Sequence, residues 1–239
     1  MKRSNERNTM IILGVDTSGY SVSVALMQDC DLLGEYTVLS KDLRNAVTLQ
    51  PLIDSLMVSC RMKLNDVELF AVANGPGSFT GIRSGLVTVK AMAYAAGSMA
   101  VGISSLRALA RVAQELGALV LPMFDARGGR VYSSLYRDGK ACCSDEPRAI
   151  EALVRQVVPM IGEGERVILT GNGLAVFEKE IVDLPFITVR APAERQIIRA
   201  SAVAQLALED WKRGVAETDP FKLDAHYAIA PSAERQKQT

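Results

Sequence analysis

Apolar residues follow two kinds of pattern along the chain, and their order predicts its secondary structure. Short apolar or alternating runs predict strands at 11–15, 21–27, 32–39, 69–73, 101–103, 119–124, 130–136, 167–170 and 186–189. Apolar residues three or four positions apart predict helices at 46–61, 80–96, 106–116, 148–158, 175–182 and 200–214. Strands therefore alternate with helices, and antiparallel strand pairs begin each half, which predicts an α/β fold with mixed sheets flanked by helices.

The pattern that opens the chain occurs a second time near its middle. Each half begins with a strand, an Asp, a small-residue turn with Gly three positions later, and a returning strand. A shift of 109 residues places Asp16 on Asp125 and Gly19 on Gly128. Because chains built from two similar halves bind ligands between them, we expect the two turns to face one ligand site. A boundary between the halves is expected near residue 107.

The densest glycine pattern lies between a predicted strand and a predicted helix. Residues 74–85 read Asn-Gly-Pro-Gly-Ser-Phe-Thr-Gly-Ile-Arg-Ser-Gly. The first two glycines and the proline predict a tight turn that other backbone can approach closely, and Ser78 or Thr80 can cap the following helix. Gly81 and Gly85 fall on one helix face, where close packing is also possible. Alternatively the loop cradles a phosphate, although it lacks the lysine of ATPase phosphate loops.

Composition and charge narrow the class of protein. Hydrophobic residues make up 49% of the 239 residues, enough for a sizeable core, and 27 basic residues balance 27 acidic ones. Proteins that grip nucleic acid alone need a basic face, so we expect contact with nucleic acid only through partners. Residues 1–8 are polar, no apolar run reaches the roughly 18 residues that span a bilayer, and no cysteines show C-x-x-C spacing. We expect a cytoplasmic protein with reduced thiols and no membrane contact.

Side chains that carry most catalytic chemistry are scarce. His226 is the only histidine, so the sequence offers neither a typical zinc site nor a catalytic triad with a suitably placed serine. We expect no metal and no catalytic residue, and we place His226 at the surface or in packing. Asp16 and Asp125 leave two interpretations open: each contacts a phosphate, or each only caps its own turn through its carboxylate.

Several separate stretches resemble the bacterial TsaB family, also called YeaZ. The clearest is the signature loop, which consists of Gly75, Pro76, Gly77, Ser78, Phe79, Thr80 and Gly81. Residues 12–18, 102–106, 125–127 and 131–132 also match, in the family's order. The resemblance is dense from residue 11 to residue 136 and thin afterwards. It implies the two-lobed fold of actin, Hsp70 and the sugar kinases.

The resemblance also implies how the chain divides. A first lobe would span 10–106 and a second lobe 107–198. Residues 199–230 would carry a last helix that returns to the first lobe, and residues 1–9 and 231–239 would be loose tails.

In nucleotide-binding proteins of this fold, the two Asp turns hold phosphates and a Gly-Gly element holds adenosine. The corresponding candidates here are Asp16, Thr17, Ser18, Asp125, Arg127, Gly171 and Gly173. Asn172 takes the place of the second glycine, and its side chain would obstruct an adenine ring. We therefore expect no cofactor held by this chain, and at most weak nucleotide binding.

The function that the resemblance implies is the formation of threonylcarbamoyladenosine beside the anticodon of tRNA. Members of the family bind the catalytic subunit TsaD, and the ATPase TsaE joins them, so ATP is used by the complex. The scarcity of chemical groups favours a non-catalytic scaffold that contacts tRNA only through the complex. The alternative is an ATPase or sugar-kinase-like phosphotransferase that uses Asp16 and Asp125.

Helices 46–61 and 80–96 are the expected partner-binding surface. The second of them is rich in Gly and Ala and apolar on more than one face, which indicates contacts beyond its own sheet. Alternatively, the surplus packs under neighbouring helices of the same chain. In the TsaB family this helix pair binds TsaD or a second copy of the chain. The candidate interface residues are Leu52, Leu56, Cys60, Ile82, Gly85, Leu86, Val89, Met92 and Ala93.

Overall fold

The computed structural model describes residues 9–39, 45–182 and 184–226. Its strands are β1 (Ile11–Asp16), β2 (Ser21–Gln28), β3 (Asp31–Leu39), β4 (Leu69–Gly75), β5 (Met99–Ser104), β6 (Leu119–Asp125), β7 (Arg130–Ser133), β8 (Tyr136–Arg137), β9 (Lys140–Ala141), β10 (Arg148–Ala149), β11 (Arg166–Thr170) and β12 (Ile187–Arg190). Its helices are α1 (Asn45–Ser59), α2 (Phe79–Ala96), α3 (Ser105–Ala113), α4 (Ile150–Val157), α5 (Gly173–Val176), α6 (Glu178–Val182) and α7 (Ala200–Lys212). Residues 1–8 and 231–239, expected as tails, lie outside the described residues. No helix of the described ranges is long and apolar enough to cross a bilayer.

Two mixed sheets form the cores of the two lobes. Within the described ranges the first sheet has the strand order β3-β2-β1-β4-β5, and the second has β10-β7-β6-β11-β12 with β8 also paired to β6. The central strands are equivalent: β1 pairs antiparallel with β2 and parallel with β4, as β6 does with β7 and β11. Asp16 ends β1 and Asp125 ends β6, so the two Asp turns occupy matching places.

Helices α1 and α2 cover one face of the first sheet. Along β2 successive side chains point to opposite faces, and the larger ones, among them Val24 and Leu26, are buried with Ile53 of α1 and with Ile82 and Val89 of α2. The aliphatic side of β2 therefore sets the side on which the helix pair packs.

Helix α7 covers the opposite face of the first sheet, and its backbone approaches β1 closely at Gly14. A Cβ on Gly14 would lie 2.2 Å from the carbonyl oxygen of Ala200, so only glycine permits this approach. Ser23 Oγ accepts a hydrogen bond from the Ala200 amide at 3.0 Å. The last helix of the described residues thus lies on the first lobe, and both faces of that sheet are covered.

Helix α3 connects the two lobes. It follows β5 of the first sheet directly and packs against β6 and β11 of the second. Leu109 of α3 shares a core with Val203 of α7. Arg107 also donates two hydrogen bonds to Asp210 of α7, of 2.6 and 3.0 Å. The boundary between the lobes is therefore built from two helices that pack on each other.

The predicted helix 148–158 is wrong at its start. Arg148–Ala149 forms β10, which pairs antiparallel with β7, and the helix begins only at Ile150. The backbone of these two residues pairs with the edge of β7, and for this reason they are not part of the helix.

Two other predictions in the second lobe were too simple. The predicted helix 175–182 is two short helices that are interrupted at Phe177, whose ring is buried in the second-lobe core. The predicted strand 130–136 ends at Ser133, and Tyr136 pairs separately with Val120. In both places tertiary packing overrides a continuous local pattern.

Candidate functional site

The first Asp turn is buried within its own lobe. Asp16 Oδ1 accepts hydrogen bonds from the amide and the hydroxyl of Ser18, at 3.0 and 2.6 Å. Asp16 is fully buried, and its Oδ2 has no hydrogen-bond partner in the described part of the chain. Burial raises the pKa of Asp16 to about 6, in spite of the bonds from Ser18, which act to lower it. Asp16 therefore caps its turn while one carboxylate oxygen stays unsatisfied.

The signature loop packs directly on this turn. The Ser78 amide donates to the carbonyl oxygen of Ser18 at 2.7 Å, and Ser78 Oγ caps α2 by accepting from the Gly81 amide at 3.3 Å. A Cβ on Gly77 would lie 2.3 Å from the same Ser18 oxygen. The glycine is thus required for backbone-to-backbone contact, which confirms the close approach and the Ser78 cap that the sequence predicts. The peptide bond between Gly75 and Pro76 is cis.

The first turn of α2 engages the remaining hydroxyl. Thr17 Oγ1 donates to the carbonyl oxygen of Gly81 at 2.7 Å. A Cβ on Gly85 would lie 2.5 Å from Thr17 Oγ1. Since Thr17 and Ser18 are both buried and bonded within the chain, their hydroxyls do not point into open space where a phosphate could meet them.

The second Asp turn has the same local bond but a different setting. Asp125 Oδ1 accepts from the Arg127 amide at 2.7 Å, two residues on, as Asp16 does from Ser18. Arg127 and Gly128 are exposed and left-handed, each with φ of 60°. Both Asp residues therefore cap their turns, and the second turn projects into solvent.

The element that resembles an adenosine site is used for packing. A Cβ added to Gly171 would lie 2.4 Å from the carbonyl oxygen of Met123. A Cβ added to Gly173 would lie 3.0 Å from the same oxygen. Both glycines let the start of α5 approach β6. Asn172 Oδ1 accepts from the Asp125 amide at 3.3 Å. The adenosine-like element and the second turn are thus tied to each other.

A narrow crevice separates the lobes beside Asp16. It has a volume of about 250 Å³, including space open to solvent, and is lined by Asp16 and Tyr20 of the first lobe and by Phe124 and Asn172 of the second. Sites for small molecules usually measure about 300–1,000 Å³. The two halves do meet at one crevice. The crevice is smaller than that range, and its lining includes Asp16 of the first turn but neither Asp125 nor Arg127 of the second.

The helix pair α1–α2 buries most of the residues proposed from sequence as an interface. Six of them lie in the first-lobe core: Leu56, Ile82, Gly85, Leu86, Val89 and Ala93. Three are half-buried: Leu52, Cys60 and Met92. Side chains already in contact with their own sheet are not available to a partner. The exposed positions of the helix pair lie on the outward sides of the two helices.

That outward side is unusually apolar. Val58 of α1 is 77% exposed, and Val87 and Tyr94 of α2 are 67% and 69% exposed. Ala91 lies four residues after Val87 and is also exposed, so the three α2 residues share one helix face. We call these four residues the outward face.

The described residues contain no group of three His, Cys, Asp or Glu side chains that could hold a metal. All four cysteines are free thiols. His226 is exposed and its Nε2 lies 3.0 Å from Asp145 Oδ2.

Glu35 holds the start of α7 in place, and no local sequence pattern predicts this role. Glu35 of β3 is buried, and its Oε1 accepts from both the amide and the hydroxyl of Ser201 at 3.0 Å. Its Oε2 accepts from Arg199 Nε, also at 3.0 Å. Glu35 thereby caps α7 from a strand more than 160 residues away, a distance that local patterns do not span.

Comparisons with known proteins agree with this architecture. Residues 43–213 match the family model of TsaD, tRNA N6-adenosine threonylcarbamoyltransferase. The TsaB protein of Bacillus subtilis strain 168, named a tRNA threonylcarbamoyladenosine biosynthesis protein, is 32% identical over 177 residues, which is 73% of this chain and 76% of that protein.

Solved structures extend the match to most of the chain. A Pseudomonas aeruginosa protein described as similar to peptidase YeaZ aligns with a TM-score of 0.78 and 26% identity, covering 92% of this chain and 100% of that one. Ethanolamine utilization protein EutJ from Carboxydothermus hydrogenoformans aligns with a TM-score of 0.50 at 13% identity, covering 84% and 91%, and supports the fold alone. The predicted α/β fold, two similar lobes of mixed sheets flanked by helices, is thereby confirmed. The chain belongs to the TsaB (YeaZ) family.

Proposed function

We propose that the protein serves in tRNA threonylcarbamoyladenosine biosynthesis as a non-catalytic subunit that docks on a TsaD-type transferase through the outward face of α1 and α2. The names of its TsaB relatives support the pathway. The observation that carries the docking role is the outward face itself, with Val58, Val87 and Tyr94 each more than 60% exposed on two adjacent helices. Exposed apolar residues that share one helix face, as Val87, Ala91 and Tyr94 do on α2, are typical of protein-binding surfaces.

The choice of partner is supported by likeness between the two chains. Because residues 43–213 match the TsaD family model, a TsaD-type protein is expected to carry an equivalent helix pair. Two such pairs can pack face to face, as the matching surfaces of related subunits do in oligomers. A stable contact of this kind is expected to bury about 1,200–2,000 Å² in total. A second copy of this chain would compete for the same face, and a TsaE-type ATPase would join the pair.

The test replaces Val87 by Arg. The charge stays hydrated in the free chain but is buried without a partner in the complex, so we expect affinity to fall by about 30- to 1,000-fold, or about 2–4 kcal/mol. Val215→Arg is the matched control, since Val215 is equally exposed at 67% but lies outside the outward face. Calorimetry with a purified TsaD-type partner measures the affinity, and a transfer assay on tRNA measures the consequence. If Val87→Arg and Val215→Arg bind alike, the docking face is misplaced.

A second candidate function rests on Asp16. Asp16 lines the crevice and its Oδ2 is unsatisfied, and this is where an ATPase or phosphotransferase of this fold would need a carboxylate. We propose instead that the chain holds no nucleotide of its own and that ATP is used elsewhere in the complex. Isolated protein should then bind ATP no better than about millimolar. Loss of transfer activity in Asp125→Ala and Asp16→Asn, with partner binding intact, would favour the catalytic alternative.

A further inference from the structure

The last described residues form a strap, residues 215–226, that runs from the end of α7 across the first lobe. The Ala100 amide of β5 donates to the Thr218 carbonyl oxygen at 3.0 Å. Further along, Leu223 is buried in the first-lobe core, and Lys90 of α2 donates to the Leu223 carbonyl oxygen at 2.8 Å. A Cβ on Gly102 would lie 2.9 Å from a Leu223 methyl group. The strap is thus held on the first lobe by hydrogen bonds to its backbone and by the buried side chain of Leu223.

The end of the strap lies on the residues that precede the signature loop. The His226 amide donates to the Asn74 carbonyl oxygen at 2.8 Å, and Asn74 Nδ2 donates to the Asp224 carbonyl oxygen at 3.1 Å. A Cβ on Gly75 would lie 2.5 Å from the His226 carbonyl oxygen. Backbone contacts therefore hold His226 at the carboxyl end of β4, facing the second lobe.

The side chain of His226 then crosses to the second lobe. Its Nε2 lies 3.0 Å from Asp145 Oδ2 and 3.3 Å from Oδ1, and Asp145 stands in the loop between β9 and β10. We propose that the strap is a clasp that fastens the second lobe to the first, with the His226–Asp145 ion pair as its releasable contact. The same strap places the Phe221 ring edge-on to Tyr94, with centroids 5.5 Å apart, so the clasp connects the lobe boundary with the flank of α2.

The charges around the pair make the contact sensitive to protons. The hydrogen bond to Asp145 raises the pKa of His226, and the bond from His226 lowers the pKa of Asp145. Arg148 of β10 adds to the lowering at Asp145. From neighbouring elements, Tyr136 also interacts with the Asp145 charge.

The direction of the pH effect follows from these shifts. A raised pKa at His226 stabilises the closed clasp fully below its ordinary value of 6.5, and this contribution is lost as pH rises through the raised value. A lowered pKa at Asp145 stabilises the clasp above the ordinary value of 3.8 and fails only in stronger acid. The His226–Asp145 contact is therefore strongest between these two ordinary values and weakens towards alkaline pH.

Hydrogen exchange followed by mass spectrometry on the full chain tests the clasp. In His226→Ala and Asp145→Asn, amides in two separate segments, 142–147 and 221–226, should exchange about 3- to 10-fold faster than in the unchanged protein at about pH 6. The ratio should fall towards one as pH rises through the raised pKa of His226, where the unchanged protein also loses the charged pair. Lys222→Ala is the matched control, because it breaks an ion pair with Glu217 inside the strap and does not reach the second lobe.

A second measurement uses the fact that His226 is the only histidine. In untagged protein, its imidazole gives one set of NMR signals, whose pKa should fall towards the ordinary value in Asp145→Asn. If segment 142–147 exchanges at the unchanged rate in both variants, or if the imidazole pKa does not respond to Asp145→Asn, the strap does not clasp the second lobe.

Discussion

The two Asp turns have the same local structure and opposite surroundings. Each Asp is the last residue of a central strand and accepts a bond from the amide two residues later. Around Asp16 the turn is sealed, because the 18-residue helix α2 packs its glycines on it. Around Asp125 the corresponding helix α5 has only four residues, and Arg127 and Gly128 are left in solvent.

The contrast indicates that the helix packed against an Asp turn decides whether the turn is buried or exposed to solvent. The Asx bond is local and follows from an Asp at the end of a strand. Burial depends on the next helix, on its length and on where it has glycine. In the first lobe the turn thereby becomes the base on which α2 stands, and the opposite side of α2 carries the proposed docking face.

The largest expected difference between the two turns is in the cost of adding a methyl group to a glycine at or beside each turn. Gly77→Ala places a methyl group 2.3 Å from a backbone oxygen that cannot move aside, and Gly77 also has φ of +154°. We expect a loss of about 3 kcal/mol in the free energy of unfolding. Gly128→Ala meets no atom within 4 Å and pays only for its left-handed φ of +60°, so about 1 kcal/mol is expected. Denaturant titration of both variants measures the difference, and equal losses would mean that the signature loop does not pack closely on the first turn.

The second effect concerns charge. Burial raises the pKa of Asp16 from 3.8 to about 6. The folded chain therefore keeps this proton to higher pH than the unfolded chain, so the contribution to stability is complete below about pH 4 and is lost as pH rises to about 6. Asn at position 16 keeps the accepting oxygen and removes the unpaired charge.

Above about pH 6, Asp16→Asn should therefore be more stable than the unchanged protein by about 2 kcal/mol, an advantage that shrinks to zero near about pH 4. The control is Asp125→Asn, since Asp125 makes the same bond to the amide two residues later but is only half-buried. Thermal melting of all three proteins across this range gives the comparison. A constant difference between Asp16→Asn and the unchanged protein at every pH would rule out the buried charge as its cause.

Local patterns predicted the order of strands and helices, the tight turn of the signature loop and the Ser78 cap. These features depend on neighbouring residues: alternation in β2, glycines beside a proline, and a serine just before an apolar helix. The equivalence of Asp16 and Asp125 could also be predicted, because the same order of strand, Asp, Gly-containing turn and strand occurs twice in the sequence.

The candidate site was harder to predict because its contacts join distant residues. The sequence of α2 is apolar on more than one face, and nothing in it tells which face meets the sheet. Leu86 and Val89 therefore entered the proposed interface although both are buried, whereas exposed Val87 did not. Glu35 and Ser201 are 166 residues apart, and His226 and Asp145 are 81 apart. Such pairs are brought together by the topology alone.

The smallest expected effect on stability comes from removing one hydroxyl group, that of Thr17, from the first turn. Thr17→Val keeps the shape of the side chain and removes the hydroxyl that donates to Gly81 at 2.7 Å. A buried carbonyl then loses one bond, and we expect about 1 kcal/mol of destabilisation, or a fall of about 2–4 °C in melting temperature. Thr17 corresponds to Ala126 in the second turn, and Ala126→Thr should change stability by less than about 0.5 kcal/mol, because α5 is too short to reach it. If Thr17→Val melts like the unchanged protein, the hydroxyl does not hold α2 on the turn, and the glycine contacts alone account for the sealed first lobe.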